Sequence, residues 1–141
     1  MDRKASAFWK GGLKDGRGTI STDSGVLREA QYSFSTRFEN GVGTNPEELI
    51  GAAHAGCFSM ALSAQLGAAG MNPDTIRTAA SVTLDKKDDG FAITKVHLDV
   101  KAKVPGANNE AFQAAAKKAK EGCPVSKLLN ATITMNAVLE G

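Results

Sequence analysis

Thr44-Asn-Pro-Glu-Glu-Leu-Ile-Gly-Ala-Ala-His-Ala-Gly-Cys-Phe-Ser-Met-Ala-Leu62 is the stretch that decides the fold, because it predicts one long helix. Asn45 is a favourable N-cap residue, and Pro46 suits the first helical position. Alternatively, Thr44 caps the helix and Glu47 closes a capping box. Both readings start the helix within one residue of each other.

This helix is expected to end near Ala69, since Gly70 and Pro73 follow and neither continues a helix well. Its surface is rich in glycine and alanine, which let another element approach closely. We therefore expect the helix to be buried.

The segment before the helix predicts three strands. Ala5–Lys10 alternates, and Thr19–Thr22 follows a glycine-rich turn. The range 31–38 then alternates strictly, which is typical of a half-buried strand with Arg37 on its polar face.

The segment after the helix predicts a hairpin of two strands, about 76–84 and 91–104. A helix over about 108–121, a short helix over 124–129 and a last strand over 131–139 follow. The order βββ-α-ββ-αα-β predicts an α+β fold with antiparallel sheets, in a single domain spanning residues 1–141.

Composition excludes several classes of protein. An apolar fraction of 42% in 141 residues is typical of a globular domain, and a net charge of +2 gives no reason to expect nucleic acid. The longest apolar run, over 49–64, is shorter than a membrane span. The N-terminus lacks the apolar core of a secretory signal, so we expect a cytoplasmic protein.

The chain contains two cysteines in different settings. Cys57 lies within the apolar helix, where burial disfavours the thiolate, so it needs a nearby cation in order to react. Cys123 follows a helix-ending glycine and precedes Pro124, near the start of the short helix, where a thiolate is stabilised. Redox chemistry is therefore a serious hypothesis.

Two residues offer that cation. His54 lies one turn before Cys57, but a partly buried histidine bonded to a neighbour would look the same. Arg37 stays charged at any working pH, although a solvated arginine is the simpler interpretation. Zinc bound by His54, Cys57 and Cys123 lacks a fourth ligand, and no Cys-x-x-Cys motif is present.

At these residues the sequence resembles the OsmC/Ohr family of osmotically induced and organic-hydroperoxide-resistance proteins, the OsmC branch closely. The resemblance covers almost the whole chain. Its most specific motifs are the Asn-Pro-Glu…Cys pattern ending at Cys57 and the Gly-Cys-Pro-Val-Ser motif around Cys123.

The resemblance implies a thiol-dependent peroxidase for organic hydroperoxides and, less efficiently, hydrogen peroxide, without metal or haem. It implies that Cys57 is the peroxidatic residue, that Cys123 resolves it to an intrachain disulfide, and that Arg37 and Glu47 orient and activate the thiolate. It also implies an interlocked homodimer with long central helices, a role in stress defence, and an external thiol, of lipoyl or small-molecule type, as reductant.

Other functions stay open at this point. A dimeric module that binds a lipid or metabolite would use the same apolar helix without needing both cysteines. A redox or zinc sensor would use the cysteines without turnover. Glu47 and Cys57 lie about 15 Å apart along one helix, so we expect each site to be shared between two chains.

Overall fold

A computed structural model describes all of residues 1–141, which form two compact units, Met1–Leu49 and Ile50–Gly141. In the first unit, β1 (Ala5–Lys10), β2 (Arg17–Thr22) and β3 (Ala30–Tyr32) form an antiparallel sheet in that order. The first two strands are placed as predicted. Gly18 of β2 is required, since a Cβ there would lie 2.4 Å from the Tyr32 ring.

The third strand is shorter than predicted, and the prediction of a strand over 31–38 is wrong beyond residue 32. Helix α1 (Phe34–Phe38) replaces it. Ser33 caps this helix by accepting from the Thr36 N–H, and the Thr36 hydroxyl accepts from the Ser33 N–H. This reciprocal cap stabilises a helix turn where the alternating pattern predicts a strand. The helix also brings Phe34 and Phe38 into ring contact, 4.8 Å between centroids.

Helix α2 (Pro46–Ala68) confirms the long helix. Asn45 is its cap, because the Asn45 Oδ1 accepts from the Glu48 N–H at 2.7 Å. The Thr44 hydroxyl instead donates to the Glu48 carboxylate at 2.9 Å. Of the two predicted starts, the structure thus has the one with Asn45 as cap, and the Glu47 side chain is not used for capping.

In the second unit, β4 (Thr75–Lys87) and β5 (Gly90–Lys103) form the predicted hairpin. Helices α3 (Asn109–Gly122) and α4 (Pro124–Leu128) lead to β6 (Thr132–Glu140). This last strand pairs with β5 in parallel, which corrects the expectation of purely antiparallel sheets. Parallel pairing needs a crossover connection, and α3 and α4 supply it.

The core of the second unit lies between its sheet and its helices. The inward positions predicted for β5 are buried, and they meet apolar side chains of α2 and α3: Phe58, Leu62, Leu66, Val96, Leu98, Val100, Ala102, Val104, Phe112, Ala115, Ala116 and Ala119. Gly51 allows α2 to approach β4, since a Cβ there would lie 3.3 Å from a Val82 methyl group.

Only one face of α2 is buried in the single chain, so the expectation of a fully buried helix holds for that face alone. The opposite face is exposed and carries mostly small residues: Ala52, Ala53, Gly56, Met60, Ser63, Ala64, Gly67 and Ala68. The helix is longer than the apolar run over 49–64 that was judged too short for a membrane span. By length and composition alone it could cross a membrane, a test that core helices of soluble proteins also pass.

Candidate active site: a thiol pair and an arginine–glutamate pair

The second unit brings its two cysteines together. Both are free thiols, and their side chains lie close enough to shift each other's pKa. Cys57 projects from the middle of α2, whereas Cys123 stands between α3 and α4 as the last cap of one and the first cap of the other. Pro124 occupies the first position of α4, as predicted. A disulfide between these thiols therefore needs little rearrangement of the chain.

The two thiols differ in exposure, and the difference is the reverse of what their positions in the sequence suggest. Cys123, at a helix boundary, is fully buried in the core, while Cys57, in the apolar helix, is partly exposed. The reason lies in the face of α2 that carries Cys57, which borders the exposed face of small residues. Of the two sulfur atoms, only that of Cys57 is open to an incoming substrate.

Burial and hydrogen bonds move the two pKa values apart. Burial raises the pKa of Cys57, and the hydrogen bond to Cys123 raises it further, against one bond from the Val125 N–H. Burial also raises the pKa of Cys123. Interactions with Cys57, with the backbone of Ser126 and Val125 and with the Ser126 hydroxyl lower it by more, so the net pKa of Cys123 is lowered. Cys57 therefore needs a cation before it is a good nucleophile near neutral pH.

The first unit holds such a cation in an ion pair. The Nε and Nη2 atoms of Arg37, on α1, both lie 2.8 Å from one oxygen, Oε1, of Glu47 in the first turn of α2. The ion pair uses only one of the two carboxylate oxygens, since Oε2 of Glu47 is buried without a hydrogen-bond partner. Asn45 also joins these elements by donating to the Thr36 carbonyl at 3.1 Å.

Arg37 borders an aromatic cavity of about 190 Å³ in the same unit. Its guanidinium carbon lies 5.4 Å from the centre of the Phe38 ring, and its side chain is 38% exposed. The cavity wall is mainly aromatic: Trp9, Leu13, Tyr32, Ser33, Phe34, Arg37 and Phe38. A fixed cation beside apolar surface suits a ligand with a polar head and an apolar body.

His54 lies one turn before Cys57 on α2 and is fully buried. Its Nε2 lies 2.7 Å from the Ser126 hydroxyl, while its Nδ1 has no hydrogen-bond partner. Sequence reasoning expected a histidine bonded to a neighbour but missed Ser126 as that neighbour. Residues three apart share a helix face, as His54 and Cys57 do and as Cys123 and Ser126 do at the start of α4, but no local signal indicates that α4 lies against α2.

Each sequence-predicted site residue is thus paired within its own unit. Arg37 and Glu47 form the pair of the first unit, and Cys57 and Cys123 form that of the second. No group of three His, Cys, Asp or Glu side chains lies close enough to hold a metal ion.

Comparisons with known proteins give the chain its family. The family model described as OsmC-like protein matches residues 38–138. Peroxiredoxin OsmC of Escherichia coli (strain K12) is 56% identical over 140 residues, 99% of this chain and 98% of that protein. The organic hydroperoxide resistance protein OhrB of Bacillus subtilis (strain 168) is 29% identical over 124 residues, 87% of this chain and 89% of that protein.

The solved structures agree on the fold. The crystal structure of OhrB from Bacillus subtilis superposes with a TM-score of 0.70 at 25% identity, covering 96% of this chain and 98% of that one. An OsmC-like protein from Mycoplasma pneumoniae superposes with a TM-score of 0.77 at 14% identity, covering 100% and 99%. The chain has two three-stranded sheets, a long helix and two neighbouring cysteines, and it belongs to the OsmC-like protein family.

Proposed function

We propose that this protein is a thiol-dependent peroxidase that reduces organic hydroperoxides and, less efficiently, hydrogen peroxide. The observation that carries this function is a pair of neighbouring free thiols, one partly exposed and one buried. The identity of 56% to a protein named peroxiredoxin supports the same chemistry. The family match includes parts of both units, which supports a single OsmC-like domain over residues 1–141.

The reaction begins at Cys57, the thiol that a peroxide reaches, and Cys123 reacts second. The Cys57 thiolate attacks one oxygen of the hydroperoxide, the O–O bond breaks, and the alkoxide takes a proton and leaves as an alcohol. Cys57 is then a sulfenic acid. Cys123 attacks its sulfur, the S–O bond breaks, and water leaves as the disulfide forms. Two electrons from an external thiol reductant restore both thiols.

Exposure supports the proposed assignment of the two roles. A peroxide can reach Cys57, whereas Cys123 is fully buried. The pKa values alone would favour Cys123 as the thiolate, so Cys57 requires the positive charge of an arginine. Arg37 supplies it, and it also stabilises the negative charge that develops on the leaving oxygen. Glu47 holds the guanidinium in place through its Oε1.

The aromatic cavity beside Arg37 supports organic hydroperoxides as the preferred substrates. A peroxide with an apolar tail would bury that tail against Phe34, Phe38 and their neighbours, which hydrogen peroxide cannot do. Lipoyl or small thiols are the proposed reductants. The reducing cytoplasm is the proposed compartment, because it keeps an unbridged pair of thiols in the reduced state.

A homodimer would complete each site. Glu47 and Cys57 are ten residues apart on α2, about 15 Å along the helix axis, and they point in different directions. If two copies of α2 pack antiparallel through their exposed faces of small residues, Glu47 of one protomer lies near Cys57 of its partner. The arginine bound to that glutamate would then activate the partner's thiol.

Mixed dimers test this shared site. Chains with Cys57→Ser and chains with Glu47→Ala should each be inactive alone, but unfolding and refolding them together should restore activity in the heterodimers. Each heterodimer has one intact composite site, so it should have about half the activity of the wild-type dimer. Heterodimers of verified composition that stay inactive would show that each site is built within one chain.

Thiol titration tests the peroxidase against its rivals. We expect one equivalent of cumene hydroperoxide to remove both free thiols of each chain, and a dithiol reductant to restore them over repeated additions. A module that only binds a lipid or metabolite would keep both thiols. A redox sensor would lose them, but it would not consume further peroxide at a useful rate when reductant is supplied.

A further inference from the structure

The buried pair of His54 and Ser126 lies directly beside the two thiols. His54 and Cys57 are three residues apart on α2, and Cys123 and Ser126 are three residues apart at the start of α4. Each residue of one set lies beside its counterpart in the other: Cys57 is close to Cys123, and the His54 Nε2 lies 2.7 Å from the Ser126 hydroxyl. The Ser126 hydroxyl, three residues after Cys123, also lies close enough to the thiol to lower its pKa.

The Ser126 hydroxyl thus stands between the Cys123 thiol and a buried imidazole, to which it is hydrogen-bonded. His54 is fully buried, and no carboxylate or other partner binds its Nδ1. A buried polar atom without a partner is costly, so a histidine at this position is not explained by packing alone. Burial lowers the pKa of His54, so its imidazole is neutral near neutral pH and is free to accept a proton at one nitrogen.

We propose that His54, acting through the Ser126 hydroxyl, is the positioning residue that takes the proton from Cys123 when Cys123 attacks the oxidised Cys57. This inference rests on the proposed peroxidase function, in which Cys123 is the resolving thiol. Ser126 passes the proton, since its hydroxyl accepts from the thiol while donating to the His54 Nε2.

The step balances in atoms and charge. The Cys123 S–H bond breaks as its proton moves to the Ser126 oxygen and the hydroxyl proton moves to His54. The S–S bond forms, and the S–O bond of the Cys57 sulfenic acid breaks. The hydroxide that leaves takes up the proton held by His54, so that one water is released and the imidazole is neutral again. No further reactant is consumed.

The relay acts on the second step only, so the two steps are measured separately in single turnovers with one equivalent of cumene hydroperoxide. Peroxide consumption reports the oxidation of Cys57. Disulfide formation, followed by quenching with acid and an alkylating reagent, reports the attack by Cys123. A wild-type protein that fails to consume peroxide would overturn the proposed function itself, before the relay is tested.

Two variants remove the relay from its two ends. Ser126→Ala removes the hydroxyl, and His54→Gln keeps a hydrogen-bonding side chain that cannot take up a proton. We expect each to slow disulfide formation by about 100-fold, the lower end of the range of general acid–base catalysis, while peroxide consumption changes less than about threefold. The double variant should be no slower than either single variant, because both residues serve one relay.

Controls separate this role from a structural one. Ser126→Thr keeps the hydroxyl and should restore fast disulfide formation. Ser59→Ala, on the same helix as His54 but bonded to Thr78 and the Ala55 carbonyl, should leave both steps unchanged. If His54→Gln forms the disulfide at the wild-type rate, or if the variants slow both steps equally, His54 has only a structural role and the proposal is wrong.

Discussion

Replacing Cys57 with serine should reduce peroxide consumption to the background rate of peroxide with the added thiol. The attacking sulfur is then absent, and the remaining thiol, Cys123, is fully buried. A serine hydroxyl at the same position is not ionised near neutral pH and cannot replace a thiolate. Steady-state assays with cumene hydroperoxide and a dithiol reductant measure the loss.

Cys123→Ser is the matched comparison, and its expected behaviour is different. This variant should still consume one equivalent of peroxide per chain in a rapid first turnover, since Cys57 is intact. The sulfenic acid then has no resolving partner and should be over-oxidised by excess peroxide to a sulfinic acid. Mass spectrometry after a single pulse would identify it. Activity that survives in Cys57→Ser but not in Cys123→Ser would reverse the two roles.

Arg37→Ala should lower the second-order rate constant for cumene hydroperoxide by about 10²- to 10³-fold, the effect of removing one group that stabilises developing negative charge. The Cys57 thiolate also loses its cation, so the pH at which the alkylation rate of Cys57 reaches half its maximum should rise. Arg37→Lys should fall between the wild type and alanine, because lysine keeps the charge but cannot place two N–H groups on the Glu47 oxygen.

Alkylation is measured in the Cys123→Ser background, so that one thiol reports. Arg28→Ala is the control, since Arg28 is exposed and bonds only to the Gly25 carbonyl nearby. It should leave the rate constant and the alkylation profile unchanged. An alkylation profile of Arg37→Ala identical to that of the control would show that Arg37 does not act on Cys57.

The helices and the hairpin could be predicted from the sequence because their signals are local. Asn45 and Pro46 mark the start of α2 and Gly70 marks its end, each within two residues of the helix boundary. The alternation in β5 is equally local, and its inward side chains are buried as predicted. In such segments each residue indicates the same structure as its neighbours.

Two elements could not be predicted, for different physical reasons. Between residues 33 and 38, alternation favours a strand, but the Ser33–Thr36 cap and the stacking of Phe34 on Phe38 favour a helix turn. The sequence pattern does not show whether the strand or the helix turn has the lower free energy. The direction of β6 depends on where α3 and α4 deliver the chain, and this is a property of the packed unit.

The candidate site was predicted in its residues but not in its contacts. The family motifs identify Cys57 and Cys123, yet their relative exposure depends on which face of α2 packs on the core. Likewise, Ser126 becomes a partner of His54 only when α4 lies against α2. Contacts between segments far apart in sequence leave no local pattern, so the arrangement of His54, Ser126 and Cys123 is visible only in the folded unit.

Non-reducing peptide mapping of the wild-type protein after one equivalent of cumene hydroperoxide tests the peroxidatic and resolving pair most directly. We predict one disulfide per chain, joining the peptides of Cys57 and Cys123, in a species that migrates as a single chain on non-reducing electrophoresis. Loss of the bridge on adding a dithiol should restore both thiols. A peroxide-treated protein that contains no such bridge, or that is joined only between chains, would contradict the mechanism.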